Sequence, residues 1–513
     1  MSDADTQLAI VGCGPVGALA ANLAGAAGLR TLVIDRAREA YPLPRAVHLD
    51  HEMMRLFQSV GLAERIRAGM NETEGHLHVG ADHGVIRYMG TAGRPQPFGW
   101  ANDYFFYQPE LEETLRDGFA RYPDVTLWLG VALDDLRQDA DGVTLVLDED
   151  GMRREVRVDH VIACDGARSA VRKALGIALD DLDFEEPWLV IDVEADAPVR
   201  FPDFTGVPAG SDLQRLSVMM CDPARPATVV PGRGNIRRWE FMLLPGEDDA
   251  EMMRPERVAA LLAPYLEGVP HRILRAATYR FHGLVAERWQ DGRVFLAGDA
   301  AHQTPPFFGQ GMCHGMRDVA NLMWKIAAVE GGEASPALLD TYQPERDAHV
   351  RSVISAAVEA GHYICELDPD RAAARDAAMR ARPPGGTAAD LIPPIRDGIV
   401  LRGTPGAGER FVQPRLSDGR LLDDATGAGW RLFVRDPLLV DTAGDAVAAA
   451  PTAIAVIDAS AVNDDGTLRR WFGAHDAGAV LVRPDCYVFG TGDDPATLVR
   501  KLTEALGREQ VAA

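Results

Sequence analysis

A chain of 513 residues is long enough for two or three domains, and 47% hydrophobic with 25% charged residues is an ordinary globular composition. A formal net charge of −24 argues against a nucleic-acid partner and against an anionic membrane surface, since both call for concentrated basic residues. The acidic start Met1-Ser2-Asp3-Ala4-Asp5 carries no signal-peptide pattern and no apolar run reaches the ~18 residues of a spanning helix, so a cytoplasmic chain is expected.

Residues 7–12 read as a short buried strand, 15–28 as an Ala-rich helix and Thr31–Asp35 as a second strand, together a βαβ unit. The connecting turn is Gly12-Cys13-Gly14-Pro15-Val16-Gly17. Gly12 permits the tight turn, Gly14 lets the backbone approach a pyrophosphate, and Gly17 lets the helix pack close to the strand. The helix start adds N–H donors and a positive dipole end. Asp35 ends the second strand, 18 residues after Gly17, where an acid binds a ribose hydroxyl, and Arg36 beside it is a further cofactor candidate. This order of elements predicts nucleotide binding without saying which nucleotide.

Residues 156–164 begin with alternating valines and end apolar, like a strand entering a core, and Asp165-Gly166 closes it. From roughly 187 to 280, strand-like runs at 188–193 and 238–244 alternate with Pro/Gly turns, which predicts a sheet-rich insertion. Residues 293–297 form another short strand ending at Gly298-Asp299, and 316–329 has helical apolar spacing with a Gly-Gly stop. A linker is expected near Pro383-Pro384-Gly385-Gly386. Beyond it, strand candidates Trp430–Val434, 453–457 and Ala479–Val482 and a closing helix at 495–506 describe a small separate α/β unit. The six cysteines (Cys13, Cys164, Cys221, Cys313, Cys365 and Cys486) are scattered, with no CxxC pair and no metal-ligand grouping, so neither a disulfide framework nor a metal site is expected.

A second motif follows the strand at 293–297: Gly298-Asp299-Ala300-Ala301-His302-Gln303-Thr304-Pro305-Pro306, then Gly309-Gln310-Gly311-Met312 at a helix start. Small residues there admit a ligand, and the helix start faces negative or polar groups. Here the chain resembles the group A flavoprotein monooxygenases, the para-hydroxybenzoate hydroxylase-like aromatic hydroxylases. The resemblance implies that Gly298 and Asp299 bind the ribityl end of FAD and that Pro306, Gly311 and Met312 line the flavin ring. Cys164-Asp165-Gly166-Ala167-Arg168-Ser169-Ala170-Val171-Arg172 resembles the family's DG fingerprint, which places Asp165 and Gly166 at the cofactor. Arg168 and Arg172 stay open between phosphate contacts and ordinary salt bridges. Pro44-Arg45-Ala46 and Gln108-Pro109-Glu110-Leu111-Glu112 resemble two more landmarks, and by them Arg45 and Gln108 touch the cofactor. The resemblance spans about residues 5–380.

Asp183-Phe184-Glu185-Glu186-Pro187-Trp188, Cys221-Asp222-Pro223 and Arg238-Trp239-Glu240-Phe241 look like the 3-(3-hydroxyphenyl)propionate hydroxylase branch. The implied fold is α/β: a Rossmann-like FAD-binding domain (1–186 and 281–382), an inserted sheet-rich substrate domain (187–280), and a C-terminal thioredoxin-like domain (400–513). That last domain lacks CxxC, which leaves it packing or homodimer formation rather than thiol chemistry. The implied reaction uses FAD, NADH or NADPH, and O₂ to hydroxylate a phenolic acid such as 3-(3-hydroxyphenyl)propionate through a flavin C4a-hydroperoxide. It needs a hydrogen-bond acceptor or general base near the phenol, and a dry cavity.

His48, three residues after Arg45, is the candidate base, with an ordinary surface histidine as the open alternative; Asp50 and His302 are weaker candidates. Arg225 and Arg238 are candidates for a substrate carboxylate, and Pro305 for the substrate wall. Two other functions stay open at this point. One is a polyketide-tailoring or other phenol hydroxylase of the same fold; the other is a flavin reductase or redox sensor without oxygenation.

Overall fold

The computed structural model describes residues 6–382 and 391–507; the linker expected near Pro383-Pro384-Gly385-Gly386 lies outside them. Strand Thr6–Val11 runs parallel between Thr31–Asp35 and Met152–Ala163. Val125–Leu129 and Val294–Leu296 extend that sheet in parallel on its two sides. Thr6–Val11, Thr31–Asp35 and Val294–Leu296 are short and mostly apolar, as both-face burial requires of a parallel sheet, whereas Met152–Ala163 is buried only in its second half. Pro15 opens helix Pro15–Ala26, where its fixed φ suits the first helical turn, and the helix packs against helix Gly311–Glu330.

A second sheet of eight strands holds the expected insertion but exceeds it. Its order is His302–Gln303, His271–Ala286, Leu179–Ala195, Ile236–Met242, Ala227–Pro231, Leu216–Met220, Gly75–Val79, Val85–Gly90. The hairpin at 75–90 comes from the N-terminal half and pairs in parallel with Leu216–Met220. It thereby covers what would otherwise be an open edge of the 187–280 segment.

Side chains alternate across the sheet. Leu77, Ile191, Val218 and Trp239 face helix Pro255–Leu266 and form one core. His76, His78, Trp188, Met219 and Met242 lie on the opposite face, where Trp188, Met219 and Met242 join the core of the first sheet and its helices.

The C-terminal unit has strand order Ile454–Asp458, Trp430–Val434, Ala479–Val482, Val488–Gly492, the first pair parallel and the others antiparallel. Helices Val440–Ala448, Thr467–His475 and Pro495–Ala505 connect and close it, which is the expected thioredoxin-like arrangement. Its one cysteine, Cys486, is free. The unit docks on helix Gly311–Glu330, whose Trp324 and Ala328 belong to its core. A fully buried ion cluster lies at the same seam: Arg483 to Glu345 and to Asp485, both 2.6 Å, and Lys325 to Glu345, 3.0 Å. Among the described residues no helix is long and apolar enough to cross a membrane.

Candidate functional site

The first glycine motif has the geometry its spacing predicts. Gly12 has φ +99°, and a Cβ there would lie 2.4 Å from the Cys164 carbonyl oxygen. A Cβ on Gly17 would lie 1.9 Å from the Gly12 carbonyl oxygen, so helix and turn are in direct backbone contact. A Cβ on Gly14 would meet nothing within 4 Å, because this residue faces an open cleft of about 580 Å³. Asp35 lines the same cleft, and its carboxylate accepts from the Cys13 N–H (2.7 Å) and the Ala37 N–H (2.8 Å). It therefore sets the shape of the glycine turn as well as facing the ligand space. Arg36, Arg45, Gln108 and Gly166 line the cleft too.

The two motifs interlock. A Cβ on Gly298 (φ +59°) would lie 3.3 Å from Val16, and one on Gly315 would lie 2.8 Å from the Gly298 Cα. Gly298 N–H donates to Asp318 (3.0 Å), which also accepts from His302 Nε2 (2.7 Å) and Arg346 (2.9 Å). His302 is thus a buried strut of this turn and no base. Asp299 is solvent-accessible although protein crowds it on most sides, the situation of a carboxylate on the floor of a cleft. Desolvation raises its pKa, with His302 and Arg45 opposing.

Asp165 caps the short helix Ala170–Ala174 through Oδ2, which accepts from Ala170 N–H at 2.7 Å. Its buried Oδ1 has no protein partner. Gly14 and Asp165 line one cleft, and Asp299 lies within electrostatic reach of Arg45 on its wall. An open glycine, an orphaned carboxylate oxygen and an accessible carboxylate so placed fit a dinucleotide that offers hydroxyls and phosphates.

Several expected contacts turn out to be supports. Gln108 Oε1 accepts from the Arg45 and Ala46 N–H groups, both at 2.8 Å, and so holds the Pro44-Arg45-Ala46 loop. Arg238, expected at a substrate carboxylate, is buried; it donates to Asp192 (2.8 Å), to the Arg45 carbonyl (2.6 Å) and to the Pro44 carbonyl (2.8 Å). Its positive charge is neutralised and its donors are spent on the same loop. Arg225 is likewise consumed, by Glu247 at 2.6 Å and the Met242 carbonyl at 2.9 Å. Arg172 donates to the carbonyls of Ala300 and Ala167, both 2.9 Å, stapling the second motif to the DG turn rather than meeting phosphate. Arg168 is exposed at the cleft.

Asp50 is no base either. It is the N-cap of helix His51–Ser59, accepting from Glu52 N–H at 3.0 Å, and it pairs with buried Arg317. Burial alone would raise its pKa, but Arg317 and its other cationic neighbours hold it well below the usual carboxylate range. Arg317 also reaches Glu52 (2.7 Å) and Gln310 (3.0 Å), and Tyr487 of the C-terminal unit donates to Glu52 (2.7 Å).

His48 has the chemistry sought. It is buried; Nε2 is 2.9 Å from Asp103 and Nδ1 is 3.4 Å from the Gly309 carbonyl, at the turn before helix Gly311–Glu330. A Cβ on Gly309 would lie 2.6 Å from His48 Nδ1, so the glycine is what lets the ring reach this turn. Burial depresses the His48 pKa, yet the Asp103 hydrogen bond and charge, with Asp50 behind, hold it above the ordinary histidine value. His76 stands edge-on to His48 at 5.7 Å, with both ring nitrogens buried and unpartnered. Burial and the neighbouring His48 push its pKa down to about 4, so it is neutral.

Trp188, Phe281 and Phe307 form an aromatic cluster with ring centroids 5.6–6.2 Å apart, and Phe307 stands two residues before Gly309. Pro305 is buried beside it; Pro306, Gly311 and Met312 are partly accessible.

Asp103 and His76 were missed by sequence reasoning. Asp103 is 55 residues from His48 and carries no local motif. His76 had one weak signal, the His-Leu-His alternation of strand Gly75–Val79, which puts two imidazoles on one sheet face.

Comparison with known proteins adds two family matches, the FAD binding domain over residues 5–357 and the HcaD C-terminal domain over residues 408–506. The chain is 35% identical to a probable NADH-specific resorcinol 4-hydroxylase of Rhodococcus jostii, over 99% of this chain and 95% of that one. It is 36% identical to a 3-(3-hydroxy-phenyl)propionate/3-hydroxycinnamic acid hydroxylase of Burkholderia cenocepacia, over 95% and 94% of the two chains. Among solved structures, aklavinone-11 hydroxylase with FAD and aklavinone superposes with a TM-score of 0.81 at 25% identity, covering 99% of this chain and 100% of that one.

Proposed function

The chain belongs to the FAD-dependent aromatic monooxygenases, and on that premise we propose that it hydroxylates a meta-substituted phenol bearing an acid side chain, with NADH as reductant. The substrate class follows the relatives: one is named for resorcinol, the other for 3-(3-hydroxyphenyl)propionate, and both compounds are phenols substituted at the meta position. The single observation that carries the reading is His48, held between Asp103 and Gly309 at the turn that leads into helix Gly311–Glu330. In the same proposal the enzyme works in the cytosol as a homodimer, read by fractionation and light scattering.

Bound FAD, reduced by the nicotinamide, supplies the redox chemistry and the activation of O₂. Gly14, Asp35, Arg45, Asp165 and Asp299 would hold it, with Gly311 and Met312 toward its ring. Asp103 keeps a proton on His48 Nε2, so the proton that the charged ring shares with the Gly309 carbonyl is the one lost on neutralisation, and Nδ1 is then the basic atom, as in a carboxylate–histidine pair of a hydrolase. Nδ1 then takes the phenol proton, and the ring gains the electron density that hydroxylation requires. His48 and His76 are both buried, so water is excluded from that end.

The test is to supply NADH, O₂ and a panel of phenols to the FAD-loaded protein. Stimulated NADH consumption with a stoichiometric catechol- or hydroquinone-type product is expected. Stimulation with only H₂O₂ formed would favour a reductase, and no response to any phenol would remove the substrate class.

A further inference from the structure

The hairpin at 75–90 places a second charged feature on the sheet face that carries His76. In register, His78 pairs with Arg87, and both side chains stand on that face, opposite Leu77 and Val79. Arg87 borders a cavity of about 470 Å³, distinct from the dinucleotide cleft, together with Phe308, Ala360, Tyr363 and Met379. Phe308 adjoins Gly309, the residue against which His48 packs. The Arg87 guanidinium lies 5.9 Å over the Phe308 ring and makes one long bond, 3.4 Å, to the Tyr363 hydroxyl, whose oxygen is also 2.9 Å from His78 Nδ1.

Among the described residues Arg87 has no carboxylate partner. Arg380, on the rim of the same cavity, is already paired with Asp82 at 2.5 Å. Glu359 and Arg382 also border the cavity, so its charged groups sum to positive before Asp82 is counted. A half-buried arginine that makes no ion pair, in a cavity whose charged groups sum to positive, is a ready acceptor site for an anion, and its planar fork matches a carboxylate.

Position gives the occupant. His76 and His78 are two residues apart on one strand, about 7 Å. The phenol end at His48 and His76 and the cation at Arg87 are therefore separated by roughly an aromatic ring plus a short side chain. At the near end His76 offers two unpartnered ring nitrogens; level with His78 and Arg87, the Thr228 hydroxyl on the same face is also buried and unpartnered. Such atoms cost free energy unless a ligand or water meets them.

We propose that Arg87, with the Tyr363 hydroxyl beside it, anchors the carboxylate of an aromatic acid whose phenol lies against His48 and His76. The inference rests on the hydroxylase reading above and narrows it: Arg87 sets the preference for acids over neutral phenols. It also replaces Arg225 and Arg238, whose charges are neutralised inside the fold.

The test compares the FAD-loaded wild type with Arg87→Gln, Arg87→Lys and Tyr363→Phe. Two readouts are used: product formation from 3-(3-hydroxyphenyl)propionate and from neutral 3-propylphenol, and calorimetric binding of 3-phenylpropionate, which has no phenol to react. Loss of one charge-assisted pair should raise KM for the acid and weaken 3-phenylpropionate binding by about 10- to 100-fold in Arg87→Gln. kcat and the constants for 3-propylphenol should stay within about twofold. Arg87→Lys should recover part of the loss, and Tyr363→Phe should give a smaller defect of the same kind.

Equal damage to acid and neutral substrates would make Arg87 a structural residue and overturn the inference. So would an unchanged KM for the acid, or a wild type that hydroxylates 3-propylphenol and ignores the acid; in those cases the hydroxylase reading stands. A wild type that hydroxylates neither phenol but binds 3-phenylpropionate through Arg87 would sink the hydroxylase reading and leave a carboxylate site.

Discussion

The dinucleotide cleft and the phenol end of this site are built by opposite means. In the cleft, contiguous backbone does most of the shaping: Gly12, Gly14 and Gly17 act through the absence of a side chain, and their effects are read within six residues. At the phenol end nothing is contiguous. His48, His76, Asp103 and Gly309 come from four separate elements and meet only in the folded chain. The cleft is thus a local property of sequence, whereas the proposed base is a property of tertiary structure.

The comparison can be broken at either end. The largest effect is expected for Gly17→Val, whose side chain must enter space held by the Gly12 carbonyl oxygen, a backbone atom that cannot step aside. It should cost more than about 3 kcal/mol, read as lost folded yield and absent flavin absorbance. A yellow, well-folded variant would show that close packing is not the role of this glycine.

His48→Asn should leave flavin content intact and lower product formation by about 10²–10⁴-fold. Parallel loss of flavin would instead make His48 part of the cofactor cradle. Asp299→Ala is expected to weaken FAD retention by at least about tenfold, measured by flavin-to-protein ratio after dialysis, and an unchanged ratio would remove it from the ribityl end.

The pH dependence is the subtlest effect. Because the His48 pKa is held above the ordinary value near ~6.5, its proton stays on to higher pH. The basic form appears as pH rises, so kcat/KM for hydroxylation should climb through a midpoint above that value and level off beyond it. The slope should vanish in His48→Asn; a slope that persists there would place the titrating group elsewhere.

Much of this was legible in sequence for a physical reason. The glycine turn and Asp35 depend on short-range spacing, and the fold puts both on one cleft; the expectations for Gly298-Asp299 and for the thioredoxin-like last unit rest on family resemblance. The arginines were not legible, because an arginine's role depends on what its long side chain meets. Arg172 and Arg238 bind main-chain carbonyls and brace the cofactor loops, and Arg225 is spent on Glu247. Nor could residue spacing reveal that the hairpin at 75–90 joins a sheet made mostly of residues 179–286.

The seam between helix Gly311–Glu330 and the C-terminal unit also constrains how the protein is made. Synthesis runs from the N-terminus, so Glu345, Lys325 and Trp324 leave the ribosome well before Arg483, Asp485 and Trp430, which pair with or cover them. Until those residues arrive, one side of helix Gly311–Glu330 stays wet and Glu345, on the following helix, has Lys325 but not Arg483 to pair with. The cofactor-binding half is therefore finished by the last part of the chain to be translated, and nascent protein interrupted near residue 382 is a natural substrate for chaperones and proteases rather than a smaller working enzyme.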